Sequence, residues 1–202
     1  MNRLGLLLLT SVLLVVSGPA VATVVDPMGL VKQTSEQVLA EVKGRKQELT
    51  ESPGKIYDLV EEIVLPRFDF ERMSRLVLGK HWRRASQAQR EQFVEQFREL
   101  LVRTYATALL SYSDQEIRYL PIRRVEDAQE VTIGTEVTAA GAPRVPINYT
   151  LRRDGDSWLV YDVSIDGVSL VSNYRTTFAS QIRRYKLDGL IAKLAKRNGQ
   201  DK

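Results

Sequence analysis

The chain has 202 residues, 44% of them hydrophobic, with a formal charge of +4, one histidine and no cysteine. That is enough apolar material for one well-cored domain or two small lobes. The composition excludes disulfides, a lipid-anchored amino-terminal cysteine and a histidine-rich metal site. The basic excess is modest, and no window mixes Lys and Arg with interleaved aromatics, so nucleic acid is not an expected partner.

Met1-Asn2-Arg3 is a short positive start, Leu4 to Val16 is apolar, and Ser17-Gly18-Pro19 breaks the run before Ala20-Val21-Ala22. This is the pattern of a secretory signal peptide over residues 1–22, cut after Ala22 and too short for a comfortable membrane span. The expected mature domain, 23–202, is exported and stable without disulfide staples, a profile that suits a bacterial periplasm. It is read as one domain that can be divided into a helical lobe (23–113 plus the C-terminal helices) and a sheet lobe (114–167).

Asp26-Pro27 is a cap followed by proline at the first helical position, and Val31, Val38 and Val42, with Thr34 between, keep one stripe to about Leu49. Glu51-Ser52-Pro53 repeats the start signal for a helix through Ile56, Leu59, Val60, Ile63 and Val64, ending at Pro66. Asp69 caps the next helix, with Phe68 and Met73 placed as a hydrophobic staple and Gly79 as its stop. Lys80 to Arg84 reads as a basic loop holding one aromatic. Ser86-x-x-Gln89 is a capping box for a long helix whose stripe is Phe93, Phe97, Leu100, Leu101, Thr104, Tyr105, Ala108, Leu109 and Tyr112.

The period then falls to two. Ile117 to Val125 reads as a strand in which Pro121 marks an edge or a bulge, and Glu130 to Ala139 alternates with Val131, Ile133, Thr135 and Val137 on one face. Val145 to Arg153 does the same with Val145, Ile147, Tyr149 and Leu151, and Asp154-Gly155 centres a hairpin turn. In Trp158 to Ile165, alternation sends Leu159, Tyr161, Val163 and Ile165 one way and Trp158 and Val160 the other. Apolar surface on both sides hints at a cavity, or at helices packed on both faces. Val171, Tyr174, Phe178, Ile182 and Tyr185 form a further helix, with Ser169 as its cap, and a short last helix runs from Asp188 to about Lys196. The fold class is α+β: N-terminal helices packed on a curved antiparallel sheet, a meander of about four strands, with C-terminal helices, enclosing an apolar cavity.

The catalytic inventory is thin. No nucleophile elbow, no H-E-x-x-H and no glycine-rich phosphate cradle occur, and His81 stands alone. An enzyme on this fold would rely on a buried acid with a tyrosine, such as Asp162 with Tyr149 or Tyr161. An exported adaptor whose interior is only core is the other alternative.

Two blocks carry a resemblance. One runs Phe68-Asp69-Phe70-Glu71-Arg72-Met73-Ser74-Arg75-Leu76-Val77-Leu78-Gly79-Lys80-His81-Trp82-Arg83 and on through Gln92-Phe93, Phe97, Leu100-Leu101 and Thr104-Tyr105. The other runs Trp158-Leu159-Val160-Tyr161-Asp162-Val163, then Ile165, Gly167-Val168-Ser169-Leu170-Val171, Asn173-Tyr174-Arg175 and Phe178. With the Leu187-Asp188-Gly189-Leu190-Ile191 ending, both resemble the MlaC-type periplasmic phospholipid-binding proteins, the toluene-tolerance auxiliary family.

The resemblance implies a monomeric, non-catalytic shuttle for glycerophospholipid. It would exchange cargo with an inner-membrane MCE-domain/ABC transporter complex and an outer-membrane lipoprotein–porin complex, maintaining outer-membrane lipid asymmetry. No cofactor is implied beyond the bound lipid. Moving about 30 acyl methylenes into water costs on the order of 20 kcal/mol, so such a carrier must bury both tails. The expected lining is Tyr105, Leu109, Val131, Ile133, Ile147, Tyr149, Leu151, Val163, Ile165, Leu170 and Phe178, each of which would serve equally well as ordinary core. Arg72, Arg75, Lys80, Arg83, Arg84 and Arg175 are the candidates for headgroup or partner contact.

Overall fold

The computed structural model describes residues 26–111, 115–122, 128–138, 141 and 143–200. The expected signal peptide, Tyr112 and the outer end of the first strand, 123–125, lie outside the described residues.

Helix α1 (Pro27–Gly44) begins as its cap dictates, with the Asp26 carboxylate accepting from the Gly29 amide at 3.1 Å. It stops at Arg45, whose backbone leaves the helical region, and α2 (Lys46–Glu51) resumes, so the helix expected to reach Leu49 unbroken is interrupted once. Helix α3 (Lys55–Leu59) passes into a π-helical turn, Val60–Val64, and then a 3-10 turn, Leu65–Arg67, that carries Pro66. Asp69 caps α4 (Phe70–Leu78) by accepting from the Arg72 amide at 2.8 Å, and Phe68 and Met73 meet in one apolar cluster as a staple requires.

Gly79 takes φ +52°, and a Cβ there would stand 3.4 Å from the Arg175 guanidinium. The stretch expected as a basic loop is instead a short helix, α5 (Lys80–Arg84). Trp82 explains the difference: it is buried in the neighbouring cluster, and one helical turn hides the ring while leaving Lys80, Arg83 and Arg84 in solvent. The capping box of Ser86 and Gln89 is present and opens α6 (Gln87–Tyr105), which tightens into a 3-10 turn, Ala106–Ser111.

Among the described residues five strands follow in consecutive antiparallel order: β1 (Glu116–Tyr119), β2 (Glu130–Thr138), β3 (Val145–Asp154), β4 (Ser157–Ile165) and the very short β5 (Val168–Ser169). The class is α+β. Val131, Ile133, Thr135 and Val137 stand opposite Leu151, Tyr149, Ile147 and Val145, so both strands turn one apolar face inward. Thr135 is tolerated there because its hydroxyl donates to the Ile147 carbonyl at 3.1 Å.

The reading of β4 is corrected by a bulge. Asp162 pairs with Thr150 but Val160 pairs with Leu151, leaving Tyr161 as the extra residue. Trp158 and Val160 therefore share the inner face with Val163 and Ile165, and strict alternation does not hold along the strand. Tyr161 packs instead towards α4, with the Arg72 guanidinium 4.4 Å from its ring centre. The apparent second apolar face of this strand is the product of counting through the bulge.

Helix α7 (Leu170–Gln200) is kinked at Lys186, which takes φ +61° and ψ 178°, so its second half is longer than the short final helix expected. Gly189 makes the kink possible, since a Cβ there would come within 2.7 Å of the Tyr185 Cβ. Gln89 donates to Asp188 at 2.6 Å and Asn198 to the Gln96 carbonyl at 3.0 Å, docking the second half on α6.

The described residues form three apolar clusters. The first, between α4, α6 and α7, is aromatic, with Phe93, Phe97 and Phe178 at its centre. The second joins α1 and α2 to α3 and its extension around Ile56 and Leu59. The third lies between α1 and the sheet, around Ile133, Leu151 and Trp158.

Candidate functional site: an apolar hollow

Between these clusters the interior is not filled. A hollow of about 300 Å³ lies under the inner face of the sheet. Helix α1 gives it Leu30, Val31, Val38 and Leu39, and the stretch from Val60 to Phe70 a second wall. Leu101, Val102, Tyr105, Ala106 and Leu109 close a third side. The sheet supplies Ile117, Val137, Ile147, Tyr149, Val160, Val163 and Ile165, and Leu170 stands at the start of α7. Among the described residues around it, all but Thr34, Ser35, Arg67, Tyr105 and Tyr149 are apolar. Its size is at the lower end of the ~300–1,000 Å³ of small-molecule sites. A lining of this kind offers an acyl chain dispersion contact and asks little desolvation of polar groups.

Of the eleven residues expected to line a cavity, the structure brings seven to this hollow: Tyr105, Leu109, Ile147, Tyr149, Val163, Ile165 and Leu170. The other four lie elsewhere. Ile133 and Leu151 are wholly buried in the filled cluster under α1, and Val131 packs against the same cluster. Phe178 sits in the aromatic cluster of the helices. They share a strand face or helix stripe with lining residues, but periodicity gives the face and not the position along it. The walls missed from sequence are α1 and the turns after α3. The one signal there was Thr34 in the valine stripe, a small polar group where a filled core would carry a larger apolar one.

Among the six expected cations, none borders the hollow. Arg72 is committed to Glu130, and the Tyr161 hydroxyl donates to the same carboxylate at 3.0 Å. Arg75 pairs with Glu71 at 3.3 Å. Lys80, Arg83 and Arg84 are exposed on α5, and Arg175 is exposed beside Gly79. The cation that does border the hollow is Arg67, which the sequence reading passed over.

The acid considered for catalysis is also committed. Asp162 accepts from the Ser169 hydroxyl at 2.6 Å and from the Val171 amide at 3.1 Å, fastening the start of α7 to the sheet, while Ser169 caps the helix by accepting from Ser172 at 3.1 Å. Burial, followed by the neighbouring Tyr174 phenol, pushes the Tyr105 hydroxyl up to about 12. Burial likewise raises Tyr119, and burial followed by Glu130 raises Tyr161, so these phenols stay protonated near neutrality. Among the described residues no three His, Cys, Asp or Glu side chains gather as a metal site.

A second cleft, about 470 Å³, opens between α6 and the two halves of α7. Its lining mixes Leu100, Phe178, Leu194 and the rings of Tyr174 and Tyr185 with Thr177, Ser180, Gln181, Arg184, Lys193 and Arg197, so it is richer in polar and charged groups than the hollow under the sheet.

Residues 32–196 match the family model described as MlaC protein. The chain belongs to the MlaC family. It is 28% identical over 177 residues to the toluene tolerance protein ttg2D of Pseudomonas putida, a match covering 84% of this chain and 82% of that protein. It is 26% identical over 172 residues to the intermembrane phospholipid transport system binding protein MlaC of Haemophilus influenzae, covering 84% and 80%. Among solved structures it is similar to the phospholipid-binding protein from Ralstonia solanacearum in complex with a phospholipid. There the TM-score is 0.81 and the identity 33%, over 87% of this chain and 98% of that one.

Proposed function

We propose that this member of the MlaC family is a phospholipid carrier. The observation that carries the reading is the apolar hollow itself: a chain that has the side chains for one continuous core leaves a void between α1, the α6 end and the sheet. Void surface forfeits dispersion contacts, so it is retained at a cost in stability that a bound acyl chain would offset. The solved relative with a phospholipid bound supports the same cargo.

In the finer reading the protein works in the periplasm, after loss of residues 1–22, as one domain and as a monomer, and makes or breaks no covalent bond in its cargo. It takes and delivers glycerophospholipid between an inner-membrane MCE-domain/ABC transporter complex and an outer-membrane lipoprotein–porin complex, sustaining lipid asymmetry. Exposed cations such as Lys80, Arg83, Arg84 and Arg175 are its candidate contacts with those partners.

Organic extraction of the purified native protein, followed by mass spectrometry, tests the cargo. Phospholipid close to one molecule per chain is the expected result, and an empty extract from demonstrably folded protein overturns it. Transfer is tested by incubating loaded protein with each membrane complex in vesicles and following lipid, with transfer to neither complex overturning the shuttle.

A further inference from the structure

Among the described residues, Arg67 is the one ionised side chain that borders the hollow. It is half-buried, and it makes no hydrogen bond or ion pair with the described residues. The contrast with its neighbours is specific. Arg72, five positions on, is matched by Glu130, and Arg152, on the adjoining strand, by Asp69 and Asp154. A guanidinium that has left part of its water without meeting a carboxylate is short of acceptors, and an arriving anion would supply them.

Its mounting is fixed. Arg67 closes the 3-10 turn that contains Pro66, and the Phe68 amide donates to the Leu65 carbonyl at 3.1 Å across that turn. Phe68 forms a bridge with Val160 of β4, and the Asp69 amide donates to the Val160 carbonyl at 2.8 Å. Leu65 and Phe68, on either side of the arginine, both face the hollow. The arginine therefore sits at the edge of an apolar wall on a turn pinned to the sheet, where little is lost in ordering its backbone.

We infer that Arg67 is the residue by which this protein distinguishes a lipid carrying an anionic phosphodiester from a neutral lipid with the same acyl chains. The inference rests on the carrier reading above. The hollow selects for apolar chains and is blind to what joins them, because dispersion and burial are non-directional. Diacylglycerol and glycerophospholipid present the same tails. Only a group at the polar end separates them, and a guanidinium donating two parallel hydrogen bonds matches two phosphate oxygens. One half-exposed arginine would give modest discrimination, compatible with release.

The experiment incubates full mature protein with vesicles of equal parts dioleoylphosphatidylcholine and dioleoylglycerol, re-isolates it, and quantifies both lipids by mass spectrometry. Wild type is expected to be enriched in phosphatidylcholine. R67Q is expected to lose about tenfold of that enrichment, the scale of one charge-assisted hydrogen bond, through a fall in bound phosphatidylcholine with no fall in bound dioleoylglycerol. R67K, which keeps the charge but not the planar fork, should fall between them. Arg67 packs no cluster, so R67Q should unfold at the wild-type temperature; if it does not fold, R67K and R67M are compared in its place. An unchanged lipid ratio in loaded R67Q overturns the inference and leaves the carrier intact, as does parallel loss of both lipids. A wild type that takes up neither lipid overturns the carrier reading itself.

Discussion

The two halves of the interior are built from different side chains. Between α4, α6 and α7, Phe97 lies 5.6 Å from Phe93, 5.3 Å from Tyr174 and 5.9 Å from Phe178, ring centre to ring centre, in stacked and edge-on pairs. Flat rings pack against one another in the spaces between these helices, and the cleft that opens beside Tyr174 and Phe178 carries polar and charged side chains on its rim. Under the sheet the side chains are mostly Val, Ile, Leu and Ala, which are too short to meet across the gap. The aromatic half is joined by ring-on-ring contacts, and the aliphatic half leaves the space that the proposed cargo would fill.

Substitutions that treat the halves alike should give unlike results. The largest effect is expected within one strand. Leu151 and Ile147 share the inner face of β3, but Leu151 is wholly buried under α1 whereas Ile147 is half-buried and borders the hollow. Leu151→Glu places a carboxylate in a filled region and should cost more than about 4 kcal/mol, giving little soluble folded protein. Phe97→Ala should cost about 3–5 kcal/mol in chemical denaturation, because a fully buried ring leaves a cavity that its partners cannot close. Phospholipid per folded molecule should stay normal in that variant, and a parallel fall in lipid content would mean the halves are not separable.

Ile147→Glu should fold with a loss of about 1–2 kcal/mol, since its carboxylate can be hydrated from the hollow, and yet should carry no extractable lipid. Normal lipid content in that variant would remove this hollow as the site. The smallest effect is expected at the wall between the halves. Tyr105→Phe should shift stability by less than about 1 kcal/mol at pH 7. The Tyr105 phenol is held above its ordinary 10.0, at about 12, so its contribution is complete below pH 10 and is lost as pH rises towards 12. Tyr105→Phe should flatten that alkaline limb, measured as thermal midpoint against pH.

Much of this fold was legible because its signals are local. Asp26, Asp69 and the Ser86–Gln89 box start helices where they were expected to, and the faces of β2 and β3 follow their alternation. What could not be read depends on packing at a distance. Lys80–Arg84 looks like a loop until Trp82 finds its cluster, and the kink at Lys186 requires α6 to hold both halves of α7. The hollow is harder still. A residue beside a void and one in a filled region have the same hydropathy and period, which is why Ile147 and Leu151 were indistinguishable. Arg67 was missed for a related reason: it stands out by making no ion pair among the described residues, and that is a property of space.

The extra residue in β4 has a consequence for how this chain tolerates change. Counting from the Asp154–Ser157 end, every position up to Val160 is out of step with every position after Tyr161. Removing Tyr161 would take out the bulge and leave Trp158, Val160, Val163 and Ile165 on one face by plain alternation, at the loss of that tyrosine's contacts with Arg72 and Glu130. Removing Ser164 instead would set Val163 and Ile165 on opposite faces. Length variation in this strand is therefore governed by phase and not by total span, and the one omission that preserves phase falls at Tyr161.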